Sequence, residues 1–187
     1  MASEKAAFVT GATLTVDGGH YMISKVNLAL DIQLFILLTA ANGTPVIAQN
    51  LFGQFWAHPL DGGLKLRDGQ PLFGASKTVR GILLSMAVTT VAGVVIGLGW
   101  QIALLVATTA MAGDLASSFI KRRMRLPPSS MAIGLDQVPE SLVPLLVCAI
   151  FFDLSMLDVM AIVACFFAGA LGISRFLYGL HLRNRPY

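Results

Sequence analysis

Residues 101–123 read QIALLVATTAMAGDLASSFIKRR, and this stretch decides the fold class. Its first part, Gln101 to Ile120, is mostly apolar and long enough as a helix to cross a hydrocarbon layer about 30 Å thick. Lys121, Arg122 and Arg123 close it, as cations do where a span meets the cytoplasmic interface. Comparable runs lie to either side, at Val26 to Ala41 with an extension through Phe52, at Gly81 to Gly99, at Ser141 to Phe152 and at Leu157 to Leu180. The fourth is the shortest. Composition agrees, because 56% hydrophobic and 12% charged residues with a mean hydropathy of +0.74 exclude an ordinary soluble domain. The expected fold is therefore an all-α integral membrane protein of about five transmembrane helices with two polar loops, Gly53 to Arg80 and Lys121 to Glu140. Asn42 and Pro45 suggest a break in the first helix, Gly93 and Gly97 form a GxxxG pair of the kind that packs helices, and Asp31 has no partner evident from the sequence.

Charge placement orients this arrangement. Lys65, Arg67, Lys77 and Arg80 lie in the first loop, Lys121, Arg122, Arg123 and Arg125 in the second, and Arg175, Arg183 and Arg185 at the C-terminus, leaving only Lys5 and Lys25 of the 13 cations. Five spans let all three basic regions face the cytoplasm together, with the N-terminus outside a cell membrane crossed in multiple passes. The formal charge of +3 thus calls for no nucleic-acid partner and suits anionic lipid or substrate. Cys148 and Cys165 fall singly in apolar runs and make no disulfide framework. His20, His58 and His181 are too far apart to predict a zinc site.

Residues 1–25 form an atypical extension, with residues 26–187 as the membrane domain. The stretch AAFVTGATLTVDGGHYM lacks the basic start and apolar core of a signal peptide. It resembles the C-terminal tail of short-chain dehydrogenases over about 15 residues, with no nucleotide fold and no Tyr-x-x-x-Lys beside it. A poorly ordered extension without oxidoreductase activity is expected.

The chemistry gathers in three polar motifs. Counting from Asp114, Ser117, Ser118, Lys121 and Arg122 fall at offsets of three, four, seven and eight, which share one helical face. Asp114 lies about 10 Å deeper than Lys121 along a helix rising 1.5 Å per residue. A carboxylate there costs at least about 2.5 kcal/mol, tolerable with a compensating cation or a function. In GLDQVPESL, Asp136 and Glu140 are four apart, and Asp136 alone reads as an N-cap. Two carboxylates beside several arginines are nevertheless what a hard divalent cation and a phosphate chain need together. In PLFGASKTVRG, Lys77, Thr78 and Arg80 stand at a helix N-terminus, where cations oppose the helix dipole unless an anion binds there; topology alone would also place them. Asp61 and Asp68 read as turn residues.

Taken in order, PLDGGLKLRDGQPLFGASKTVRG, GDLASSFIKRR and GLDQVPESL resemble the CDP-archaeol synthase family, relatives of the phosphatidate cytidylyltransferases, over roughly Asn42 to Tyr187. The resemblance implies a five-span enzyme that uses Mg²⁺ and CTP to convert an isoprenoid ether-lipid phosphate into its CDP derivative, releasing pyrophosphate. It marks Asp114, Asp136 and Lys121 as catalytic, with Asp114 and Asp136 also as metal ligands, and Lys77, Thr78, Arg80, Ser118 and Arg122 as nucleotide- and phosphate-binding. The related cytidylyltransferases place a second acid three residues after the one matching Asp136. Pro139 stands there and Glu140 comes one later, which speaks against Glu140 as a metal ligand. The polar motifs do not distinguish isoprenoid from diacyl lipid, so CDP-diacylglycerol formation is the near alternative. A small transporter or channel lined by Asp114 is the alternative from another class.

Overall fold

The computed structural model describes residues 27–128, 130 and 132–179, with 173–179 as backbone only. The expected extension and its boundary at residue 25 lie outside the described residues. Five helices follow in chain order: α1 Leu28–Phe52, α2 Val79–Val95, α3 Trp100–Arg123, α4 Gln137–Cys148 and α5 Met156–Gly179. Among the described residues the only β-pairing is a pair of isolated bridges in the first loop, Pro59 with Thr78 and Lys65 with Pro71. By length and composition α1 and α3 could cross a membrane, while α2 and α4 are shorter, at 17 and 12 residues. Large apolar side chains such as Leu83, Val91, Val95 and Met160 face outward, an arrangement stable against hydrocarbon and costly against water.

The first helix is the hub and touches each of the other four. Leu30, Leu34, Leu37, Leu38 and Ala41 recur at helical spacing and are buried, and the four leucines pack with Ala103 and Val106 of α3, Leu145 and Cys148 of α4, and Val159, Ile162 and Phe166 of α5. Cys165 is exposed instead, and both cysteines are free thiols. At the end of α1 away from the polar loops, Asp31 lies near Asp158 of α5.

Three expectations change. No break occurs at Asn42 and Pro45, where α1 runs straight on. Pro45 has no N–H to give the carbonyl of Ala41, and Ser85 of α2 supplies the missing donor at 2.6 Å. The interhelical bond replaces the one lost within the helix. Gly93 and Gly97 do not form a paired packing motif either. Gly93 lies so close to α3 that an added Cβ would stand 2.1 Å from that of Ala103, whereas Gly97 follows α2 with φ +84° and faces open space. The fourth helix starts at Gln137 rather than Ser141, which puts Glu140 in its first turn.

Candidate active site

The face predicted on α3 forms as expected, with Ser117, Ser118, Lys121 and Arg122 all buried and Asp114 a turn or two deeper. Two ion pairs build the site on it. Lys77, just ahead of α2, donates to both oxygens of Asp114 at 2.5 Å. Lys121 pairs with Asp136 at 2.6 Å and donates to the Ser130 carbonyl at 3.0 Å. Although Asp136 stands at the N-cap position of α4, its side chain caps nothing there; its other oxygen accepts from the Ala132 amide at 2.9 Å. Gln137, the first residue of α4, accepts from the Gly134 amide at 2.8 Å, so the loop before the helix is tied to both Asp136 and Gln137.

Arg122 is only 1% exposed, and it uses a single nitrogen, bonded to the Pro127 carbonyl at 3.0 Å. Its Nε and Nη1 are buried without a hydrogen-bond partner. A guanidinium with two open donors in a low-dielectric setting is suited to an incoming phosphate oxygen. Gly74 fits against it, since a Cβ there would meet Nη1 at 3.5 Å, and its φ of +94° favours glycine.

The first loop is held over this site by carboxylates. Asp61 accepts from the amides of Phe73 at 2.9 Å, Gly74 at 3.0 Å and Gly63 at 3.0 Å, so it does more than make the turn expected of it. Burial alone would raise the Asp61 pKa, but these amides outweigh burial and hold it below the ordinary carboxylate value. Asp68 accepts from the Gln70 amide at 3.1 Å and pairs with Arg123, and the amide and then the guanidinium lower its pKa as well. Arg123 also donates to the Pro71 carbonyl and lies over the Phe119 ring, which turns it toward the loop and away from Asp114.

Not every predicted residue converges. Lys77, Asp114, Lys121, Asp136 and Arg122 come together. Thr78 caps α2, accepting from the Gly81 amide at 3.1 Å. Arg80 reaches back to the end of α1, donating to the carbonyls of Gly53 and Phe55 and to Gln49, with its guanidinium over the Phe52 ring. Acceptors at a helix C-terminus attract a cation. Sequence reasoning passed over Gly113. An added Cβ there would lie 2.3 Å from the Pro139 carbonyl oxygen, so glycine is what lets α4 approach α3 beside Asp114. Its only sequence signal is its position next to that aspartate.

Among the described residues no three acidic, histidine or cysteine side chains are grouped so as to enclose a metal unaided. The donor set is nonetheless hard oxygen, which fits a Mg²⁺ ion held by one or two carboxylates with phosphate oxygens and water completing the shell. A separate apolar groove of about 300 Å³ runs between α4 and α5, lined by residues including Val138, Leu142, Val159, Val163 and Phe167. Val138 places one end of the groove at the same end of α4 as Asp136.

The whole of residues 25–187 matches a family profile described as CarS-like CDP-archaeol synthase. A CDP-archaeol synthase of Pyrobaculum aerophilum is 34% identical over 72% of this chain and 85% of its own length. That of Pyrobaculum calidifontis is 32% identical over 83% of this chain and 98% of its own. Among solved structures, one described as an intramembrane enzyme for archaeal membrane lipid biosynthesis superposes with a TM-score of 0.68 at 31% identity, covering 76% of this chain and 90% of that one. With its polar motifs, its helical order and its whole membrane portion matched, the chain belongs to the CarS-like CDP-archaeol synthase family.

Proposed function

We propose that this chain transfers the cytidylyl group of CTP to an isoprenoid ether-lipid phosphate, giving CDP-archaeol and pyrophosphate, with Mg²⁺ as cofactor. The observation that carries the reading is the paired array Lys77–Asp114 and Lys121–Asp136 beside the open donors of Arg122. A reaction between two polyanions needs charge offset more than it needs a base, because the lipid phosphate is already ionised. Its oxygen forms the new bond to the α-phosphorus of CTP while the bond from that phosphorus to the β-phosphate oxygen breaks, and the electron pair leaves with pyrophosphate. Lys121, Arg122 and Lys77 are placed to offset charge on the phosphates, and Ser118 lies on the same face. When the triphosphate arrives, the two ammonium groups exchange carboxylate for phosphate partners, and Asp114 and Asp136 become available to a cation. Asp114 and Asp136 would hold Mg²⁺, which would supply further positive charge against the triphosphate. Thr78 and Arg80 act by fixing the start of α2, and so of Lys77, against the end of α1.

The reading includes five membrane spans with the loops and C-terminus cytoplasmic, supported by the bias of the cations toward those segments. CTP then reaches the site from water, and the lipid moves in sideways, with a hydrocarbon chain along the α4–α5 groove. The test is transfer of α-labelled CTP into extractable lipid by the purified protein with Mg²⁺, offered geranylgeranyl ether phosphate and phosphatidic acid separately. Labelled ether lipid is expected, reduced roughly 100-fold or more by Asp114→Asn. Label in the diacyl lipid alone would reassign the substrate, and label in neither from folded protein would end the cytidylyl-transfer reading.

A further inference from the structure

Two cations of the site, Lys77 and Arg122, meet one short stretch of backbone, residues 73–77. The Gly74 main chain is buried against Arg122, its Cβ position 3.5 Å from Nη1 and 3.7 Å from Cδ, and Pro128 closes the same spot at 3.6 Å. Three residues on, the Lys77 amide donates to the Gly74 carbonyl at 3.1 Å, and the Lys77 carbonyl accepts from the Leu60 amide at 2.7 Å, beside the Pro59–Thr78 bridge. Asp61 follows Leu60 directly. One of its carboxylate oxygens reaches across to the amides of Phe73 at 2.9 Å and Gly74 at 3.0 Å, while the other takes the Gly63 amide at 3.0 Å. Leu60 and Asp61 therefore grip both ends of the stretch, one by main chain at Lys77 and the other by side chain at Gly74.

These contacts go beyond what a turn needs. A turn of this kind is complete once the carboxylate takes the amide two residues on, as Asp61 does with Gly63 and Asp68 with Gln70. The second oxygen of Asp61 instead spans 12 and 13 residues of sequence, and an ionised acceptor makes each of those bonds roughly twice as strong as a neutral one would. Arg122 meanwhile keeps two buried donors open, and a planar guanidinium loses least on binding a phosphate when it is already held in place. We infer that Asp61 is a positioning residue for the triphosphate: by seating Gly74 it holds the Arg122 guanidinium and Lys77 in one arrangement before CTP arrives. The inference rests on the cytidylyl-transfer reading for the identity of the triphosphate, whereas the linkage from Asp61 to the two cations does not.

The test measures retention of α-labelled CTP by the full chain in mild detergent, with Mg²⁺ and no lipid, by equilibrium dialysis. A loop seated a tenth of the time binds about 10-fold more weakly, and that is the loss expected for Asp61→Ala, with Asp61→Asn, which keeps a neutral acceptor, between it and the unaltered protein. In an Arg122→Gln background the loss from Asp61→Ala should shrink to about 3-fold or less, the remainder passing through Lys77. Asp68→Asn, which weakens the tie to Arg123 and leaves Phe73, Gly74 and Lys77 alone, should stay within about 3-fold of the unaltered protein, since so exposed a pair contributes little. Unchanged retention by Asp61→Ala, a loss equally large with and without Arg122, or an equal loss in Asp68→Asn would overturn the inference and leave cytidylyl transfer standing. If the expected pattern holds while the unaltered protein yields no CDP-lipid, the positioning role stands and the cytidylyl-transfer reading falls. No retention of CTP by the unaltered protein would overturn both.

Discussion

Replacing Gly113 with alanine adds one methyl group, yet it should nearly silence the enzyme. The new Cβ would lie 2.3 Å from the carbonyl oxygen of Pro139, 2.7 Å from its carbon and 3.0 Å from the Glu140 nitrogen, all of them backbone atoms that cannot rotate away. Restoring an ordinary contact of about 3.5 Å requires α3 and α4 to part by about 1 Å. Such overpacking costs about 1–3 kcal/mol, against which alanine returns about 1 kcal/mol of helix propensity, so the variant still folds. The first turn of α4 and the residues just before it carry Asp136, Gln137 and Glu140, and a shift of about 1 Å there stretches the 2.6 Å Lys121–Asp136 pair beyond hydrogen-bonding distance. Displacements of this size cost about 100-fold in rate. The assay is initial-rate transfer of α-labelled CTP to ether-lipid phosphate, with thermal unfolding in detergent run alongside. Gly43→Ala in α1 is the control: nothing lies within 4 Å of its Cβ position, so it should keep full activity and gain up to about 1 kcal/mol. Gly113→Ala within about three-fold of the unaltered rate, at an unchanged unfolding temperature, would refute the claim that this crossing sets the site.

Two further predictions concern the scaffold. Ser85→Ala should cost about 1–3 kcal/mol by leaving the Ala41 carbonyl unpaired in the interior, whereas in a Pro45→Ala background, where the substituted residue regains a backbone N–H, it should cost under about 1 kcal/mol; equal costs in the two backgrounds, measured by unfolding in detergent, would show that Ser85 does not substitute for the missing donor. The Asp61 pKa is lower in the fold than its ordinary 3.8, so its stabilisation of the loop is fully present above pH 3.8 and is lost as pH falls through the depressed folded value. Exchange of the Phe73 and Gly74 amides, corrected for intrinsic pH dependence, should accelerate in that acid range, and Asp61→Asn should exchange faster already at neutral pH and show no such step.

What the sequence makes legible follows from what a single helix can specify. The α3 face needs only the helical period, and the depth of Asp114 needs only the rise per residue, so both could be read without a partner in view. Directions across the fold could not. A lysine and an arginine three residues apart at the start of α2 look equivalent on paper, but Lys77 turns into the site and Arg80 turns back to the Gly53 and Phe55 carbonyls. Nor does a sequence show that Pro45 is reconciled with its helix by a serine 40 residues on. The close approach of α4 to α3 was hidden for the same reason, because the absent side chain of Gly113 has meaning only against the Pro139 backbone of another helix. The same separation of elements explains how so many charges can be gathered in the interior at all. Burying a charge is costly unless it is paired, and each ammonium here is matched to a carboxylate from a different element, Lys77 before α2 with Asp114 of α3, and Lys121 of α3 with Asp136 before α4. Pairs that bridge elements can separate without unwinding any helix, which is what the proposed exchange of carboxylate for phosphate partners requires of this fold.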